Sequence, residues 1–316
     1  MNAATFFDGE EWRDGTIEMI DGRMLLRPGS PASDLLLSDL PRLDGLIVGG
    51  FTDHHVHLQL VDHALLHDST LGRVIDLGGN PAAVAALSEG AARFVAVEFA
   101  GAFLTSVGGY PSDRDWAPAG SFREIADTAA ATAAVAEMAD AGASCIKVAN
   151  NSTAGPVFSD LLFRAIVEAA AARGLPVVAH AEGVGEAQRA ARLGAARLAH
   201  APFTERLDDA EVAAQAASVS WISTLAIHEG DTHATAVDNV RRFHAAGGTV
   251  LYGTDMGNGP MPVGLNPSEL TALRDAGLDG IDLLRALAPQ NLLDPAALLL
   301  SCLLYTSDAA DEGLGV

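Results

Sequence analysis

The side chains best suited to chemistry in this chain are imidazoles. The segment Gly49-Gly50-Phe51-Thr52-Asp53-His54-His55-Val56-His57 follows the apolar run Leu46-Ile47-Val48. In an extended strand successive side chains face opposite ways, so His55 and His57 share a face with Asp53, and His54 and Val56 take the other. Neutral imidazole is a common ligand for zinc and similar divalent ions, and two on one strand form a chelating pair. Such a pair alone reads equally well as polar strand-end residues, so further donors decide the matter. His180 closes Pro176-Val177-Val178-Ala179, His200 closes Arg197-Leu198-Ala199, and Asp255 closes Val250-Leu251-Tyr252-Gly253-Thr254. Lys147 closes Ser144-Cys145-Ile146 and is the only lysine, beside eighteen arginines. Where a cation merely suffices this chain uses arginine, which marks Lys147 for chemistry that a guanidinium cannot perform. Singly, each residue has a bland reading: a hydrogen-bonded strand-end histidine, or an aspartate capping the next helix. As a set at the ends of five apolar runs they read as a metal site.

The elements that must position them are apolar, strand-like runs at 47–57, 73–77, 93–99, 144–149, 176–181, 197–201, 220–226 and 249–255. Ala-rich stretches of helical period lie between several of them, at 121–141, 159–173, 184–193, 208–217 and 234–246. Strands alternating with helices predict an α/β fold with a parallel sheet, and eight repeats predict a (β/α)8 barrel spanning 49–300. In such a barrel the strand C-terminal ends converge on one mouth, bringing together residues 200 positions apart in sequence. A doubly wound sheet is the alternative, but it gives no reason for polar residues at so many strand ends. Residues 1–48 read as a small β appendage, with Asp21-Gly22 as a hairpin signal between apolar runs.

Composition bounds the partners. The net charge of −22 argues against nucleic acid or anionic membrane, which require basic patches. No run approaches the roughly 20 apolar residues that span a bilayer, and the start of the chain lacks a basic and an apolar leader segment. With only Cys145 and Cys302, no disulfide framework is available, so the expectation is a cytoplasmic protein acting on a small molecule, with a homo-oligomer left open. Residues 301–316 look like the in-frame translation of a sequencing-library adapter and are set aside from fold reasoning. Without Asp308, Asp311 and Glu312 the net charge moves from −22 to −19. The expectation is then a truncated chain.

The segment Phe51-Thr52-Asp53-His54-His55-Val56-His57 resembles the D-x-H-x-H signature on strand 1 of the metal-dependent amidohydrolase superfamily. Lys147, His180, His200 and Asp255 match that family's ligands on strands 4, 5, 6 and 8 in order. Ala102 to Gly109, with Ile146-Lys147 and Ala179-His180-Ala181, is most similar to the imidazolonepropionase-like branch that includes prolidase-type dipeptidases. The resemblance covers the chain to about residue 290. It implies a barrel with a small β-sandwich appendage drawing strands from both ends of the chain, the C-terminal ones missing here. It also implies two divalent ions, most simply zinc, bridged by carbamylated Lys147. His55, His57 and Asp255 would hold one ion, and His180 and His200 the other. Two departures stand out: His54 occupies a position where relatives usually carry a small residue, and Tyr110 stands where many members of this branch have histidine.

Physical chemistry supports this ligand set. An ammonium has no lone pair and repels cations, so Lys147 can join the set only when neutralised or made anionic, and carbon dioxide does the latter. Paired divalent ions lower the pKa of water and polarise a carbonyl, while Asp255 can serve as general base and then general acid. The expected activity is hydrolysis of an amide-type C–N bond in a peptide or cyclic amide, or of a lactone or ester. Two alternatives remain: a mononuclear deaminase of a heterocycle, which leaves Lys147 unexplained, and a truncated, inactive member of the family. For substrate contacts the candidates are Tyr110, Arg114, which could receive a carboxylate bidentately, and His228 after the seventh strand.

Overall fold

The structure is a computed structural model describing residues 1–20, 23–29, 37–92 and 94–293, with the backbone of 303–305. An N-terminal sheet is formed by β1 (Asn2–Phe7), β2 (Trp12–Ile20), β3 (Arg23–Pro28) and β4 (Arg42–Val48). β2 pairs antiparallel with β1 and β3, and β4 lies parallel to β1. Its buried face carries Ala4, Phe6, Ile17, Leu26 and Ile47. The hairpin expected at Asp21-Gly22 and most of 301–316 lie outside the described residues.

After Gly49-Gly50 come the strands that carry the chemistry. They are β5 (Phe51–Val56), β6 (Leu71–Asp76), β7 (Ala96–Phe99), β8 (Phe103–Ser106), β9 (Phe122–Ile125) and β10 (Ile146–Asn151). β11 (Val177–Glu182), β12 (Arg197–Leu198), β13 (Ser220–Ile222) and β14 (Val250–Leu251) follow. Finally, β15 (Leu303–Tyr305) pairs antiparallel with β4. Between and after them run the helices α1 (Pro81–Ala91), α2 (Thr128–Asp140), α3 (Asp160–Ala171) and α4 (Glu186–Arg192). The remaining four are α5 (Asp209–Ala216), α6 (Gly230–Ala245), α7 (Pro267–Asp275) and α8 (Gly280–Leu287). Their starts are chemically marked: Asn80 caps α1 ahead of Pro81, and Asp208 and Glu211 form a capping box on α5.

The central strands form two parallel sheets, ordered β5-β6-β7 and β14-β13-β12-β11-β10-β8-β9. Two seams join them into a barrel-like α/β fold. At one, the third strand changes sheets: β7 pairs with β6, the chain passes through Ala100, Gly101 and Ala102, and β8 pairs with β10. At the other, the His54 and His57 backbone N–H groups donate to Tyr252 O (3.0 Å) and Met256 O (2.7 Å), and Val56 bridges Met256.

The strand period sorts side chains between two cores. Ile146 and Val148 join the large outer core shared with the helices, whereas Cys145 belongs to an inner cluster with Ile75, Leu77, Ala100, Val178, Ala199, Ile222 and Leu251. Lys147 shares the parity of Cys145, and His180 that of Val178, so both stand above this inner cluster. Among the described residues no helix is long and apolar enough to cross a membrane.

Three expectations are corrected. The run 47–57 is two strands, divided at Gly49-Gly50. Residues 122–125 form β9 instead of the start of a helix, which begins only at Thr128 behind its cap Asp127. The strict alternation expected along 53–57 is broken by a register shift between Asp53 and Val56. Asp53 therefore lies apart from the imidazoles, its carboxylate accepting from Thr254 N (3.1 Å) and Thr254 Oγ1 (2.6 Å).

Candidate metal centre

The mouth gathers His55, His57, Lys147, His180, His200 and Asp255 around one cavity of about 250 Å³. The imidazoles of His55, His57 and His200 are buried, as are Lys147 and Asp255. Asp255 Oδ1 lies 3.1 Å from both His55 Nε2 and His57 Nε2, and one donor atom from each of the three residues falls within 4.8 Å of the others. Lys147 Nζ is 3.4 Å from His55 Nε2. Ring centroids of His55 and His200 are 4.8 Å apart, and those of His180 and His200 4.9 Å.

Hydrogen bonds fix which nitrogens are available. His55 Nδ1 contacts Ala199 O (2.8 Å) and His57 Nδ1 contacts Gly78 O (2.9 Å). A carbonyl can only accept, so both Nδ1 atoms carry hydrogen and both Nε2 lone pairs face Asp255. Two lone pairs and a carboxylate oxygen at 3.1 Å repel one another unless a proton or a cation lies among them. Burial opposes charge on His55 and, with Lys147 beside it, holds its pKa well below the usual imidazole value. Burial acts the same way on His57 and is the largest single influence, but the hydrogen bond and charge of Asp255, with the charge of Asp76 added, together outweigh it and raise its pKa. Burial also resists ionisation of Asp255, yet the imidazoles of His55 and His57 dominate and keep its carboxyl well below the ordinary range. The donor set fits a divalent cation in place of the proton between His57 and Asp255: two Nε2 atoms, an ionised carboxylate, and carbonyls orienting the rings from behind.

The other side of the mouth is oriented by side chains. His180 Nε2 donates to Glu182 Oε2 (3.1 Å), leaving Nδ1 with its lone pair. Glu182 is itself held by Asn151 Nδ2 (2.6 Å) and Thr153 Oγ1 (3.2 Å). His200 Nδ1 pairs with Thr224 Oγ1 (2.9 Å). Thr224 sits at φ 43°, a left-handed conformation that is costly for a β-branched residue. That backbone is pinned by the buried Glu269, whose oxygens accept from Leu225 N (3.0 Å) and Ala226 N (2.7 Å). Asp255, at φ 55°, shares this unusual conformation.

Lys147 is the least ordinary member. Burial lowers its pKa to about 8, so about a tenth of the amine is unprotonated and nucleophilic at pH 7. Of the substrate-contact candidates, Tyr110 and His228 line the cavity and Arg114 does not. The Arg114 guanidinium lies 5.7 Å over the Tyr110 ring and pairs with Asp113 at 3.4 Å. Sequence reasoning missed Phe103, Trp116, Glu182, Phe203 and Asn258, all of which line the cavity. Glu182 alone left a signal, since it shares strand parity with His180.

No protein-family model and no curated protein matches this sequence. Solved structures do match in fold. A Xaa-Pro dipeptidase with methionine bound in its active site aligns at TM-score 0.67 and 17% identity over 90% of this chain and 85% of that one. The A. niger ochratoxinase aligns at TM-score 0.67 and 17% identity over 94% and 86%. A further structure, described as an amidohydrolase, aligns at TM-score 0.65 and 20% identity over 90% and 84%. The chain therefore shares the fold of these structures, which is the fold that the resemblance carried by Asp53, His55 and His57 implies.

Proposed function

We propose that this protein is a metal-dependent hydrolase of an amide-type C–N bond, in a peptide or a cyclic amide. Its barrel would be a complete (β/α)8 unit over 49–300, with 1–48 as the appendage. The observation that carries the proposal is the sole lysine lying 3.4 Å from a first-strand imidazole at a mouth ringed by four further histidines and Asp255. Lys147 as a carbamate supplies the anion that an ammonium cannot. His55, His57 and Asp255 would then hold one ion, and His180 and His200 a second, with the carbamate shared between them. Divalent ions, most simply zinc, supply Lewis acidity toward a carbonyl and acidify water.

The protein's own groups do the rest. Asp255 is ionised, takes the proton from attacking water and returns it to the leaving nitrogen. Tyr110, its hydroxyl kept protonated by burial that pushes its pKa to about 12, is a donor for a polar group of the substrate. His228, which also lines the cavity, presents a second donor or acceptor.

The single-ion deaminase remains the second reading, favoured by the tight grouping of His55, His57 and Asp255. Lys147→Ala separates the two: the two-ion enzyme loses one metal per chain and most of its hydrolysis, whereas the one-ion enzyme keeps its metal. Less than about 0.2 equivalents of metal after zinc or manganese supplementation would instead indicate a protein without this chemistry. A cytoplasmic location is part of the proposal.

A further inference from the structure

The cavity is selective in ways that the metal-ligand set does not require. At about 250 Å³ it is smaller than the roughly 300–1,000 Å³ of drug-sized sites, which limits the guest to about one ring. Its walls are aromatic: Phe103 and Trp116 meet edge-on with centroids 6.3 Å apart, and Tyr110 lies 6.1 Å from Trp116. Phe203 stands beside His200 and packs on His228 at 4.2 Å. Trp116 is 42% exposed at the rim, so its ring has surface to offer a guest, and aromatic pairs favour such edge and offset contacts.

The charge distribution is one-sided. Among the described residues lining the cavity there is no arginine, and the only ammonium belongs to Lys147, which the proposed function converts to an anion. Arg114 is drawn away onto Tyr110 and Asp113. His228 Nε2 is buried with no hydrogen-bond partner among the described residues, and burial pushes its pKa down to about 4, so it meets a guest as a neutral imidazole. Glu182 and Asp255 add negative charge. A substrate bearing a free carboxylate away from the scissile bond and the ions would face Glu182 and find no guanidinium or ammonium to receive it.

We propose that the site takes a small, uncharged amide carrying an aromatic ring, the ring lying against Trp116 and Phe103 and the remote polar group facing His228. This rests on the hydrolase reading and narrows it away from dipeptides with a free C-terminus.

The test compares benzoylglycinamide, benzoylglycine and acetylglycinamide with the zinc-supplemented protein. Hydrolysis of the benzoyl–glycine bond is expected at least tenfold higher in kcat/KM for benzoylglycinamide than for either of the others. Trp116→Ala should raise its KM about tenfold with kcat and zinc content unchanged. Binding of the same three compounds, measured by calorimetry, reads the cavity without any turnover. Benzoylglycinamide should bind at least tenfold tighter than the other two, a demanding outcome because bound cations attract the anion. If none is hydrolysed but this order of binding holds and depends on Trp116, the hydrolase reading fails and the cavity assignment stands. If benzoylglycine binds or turns over as well as its amide, or Trp116→Ala changes nothing, the substrate assignment is overturned.

Discussion

The two halves of the candidate metal centre are held by different means. His55 and His57 are oriented by the backbone carbonyls of Ala199 and Gly78, groups that substitution at those positions cannot delete. His180 and His200 are oriented by Glu182 and Thr224, side chains that depend in turn on Asn151, Thr153 and Glu269. One half is thus fixed by the fold itself and the other by a removable second layer. Side-chain partners of ligating imidazoles typically contribute 10- to 100-fold in metal affinity or activity. The second half should therefore be the weaker, more adjustable one.

The sharpest way to break this contrast is at the residue that serves the first half and the chemistry together. Asp255→Asn should lower kcat by about 10³-fold, the middle of the range for a proton-transfer group, and weaken the first ion. A variant retaining more than a tenth of the activity would remove Asp255 from its role. Next in size, Glu269→Gln should leave the first ion bound and weaken the second by about 10- to 100-fold, because Leu225 N and Ala226 N donate to different oxygens of Glu269 and the amide would set an NH2 donor against one of them. Thr224→Ser, which keeps the hydroxyl, should retain the second ion, whereas Thr224→Val should lose it. Competition with a chelator measures the two affinities, and equal losses at both ions would erase the distinction.

A pH experiment sharpens the bridge between the halves. The Lys147 pKa is depressed to about 8 by burial, so the amine gains its proton as pH falls through that value. Only the free amine reacts with carbon dioxide. About 1% is free at pH 6 and about half at pH 8, so activation of metal-free protein by zinc at fixed dissolved carbon dioxide should be about 50-fold faster at pH 8. A flat profile would argue against a carbamate. The smallest effect belongs to Arg114, whose pairing with Asp113 is exposed and worth about 0–1 kcal/mol. Arg114→Ala should change kcat/KM less than about threefold, whereas a loss above tenfold would bring the guanidinium back into the cavity.

The first half was also the more legible one. His55 and His57 betray themselves by spacing, and Lys147, His180, His200 and Asp255 by closing apolar runs, because strand periodicity and barrel topology are local patterns with global consequences. The second layer is not written locally. Glu269 is a glutamate in the first turn of α7, indistinguishable in sequence from a solvated one, and its role arises only when α7 packs against the loop after β13. Phe103 escaped for a related reason: the third strand pauses at Ala100 to Ala102, and only the resumed strand aims the ring toward His57 at 5.6 Å. A period of two sets Asp53 with the imidazoles because it cannot show the register shift between Asp53 and Val56.

Thr224 and Asp255 are the two non-glycine residues with positive φ among those described, and they lie beside successive strands at the mouth. Each such conformation costs of order 1–3 kcal/mol and persists only where its surroundings impose it. Glycine at either position would relieve that torsion and remove the group that needed it, so selection for thermal tolerance alone would tend to erode the mouth first. The backbone there is a record of what the molecule gives up in order to act.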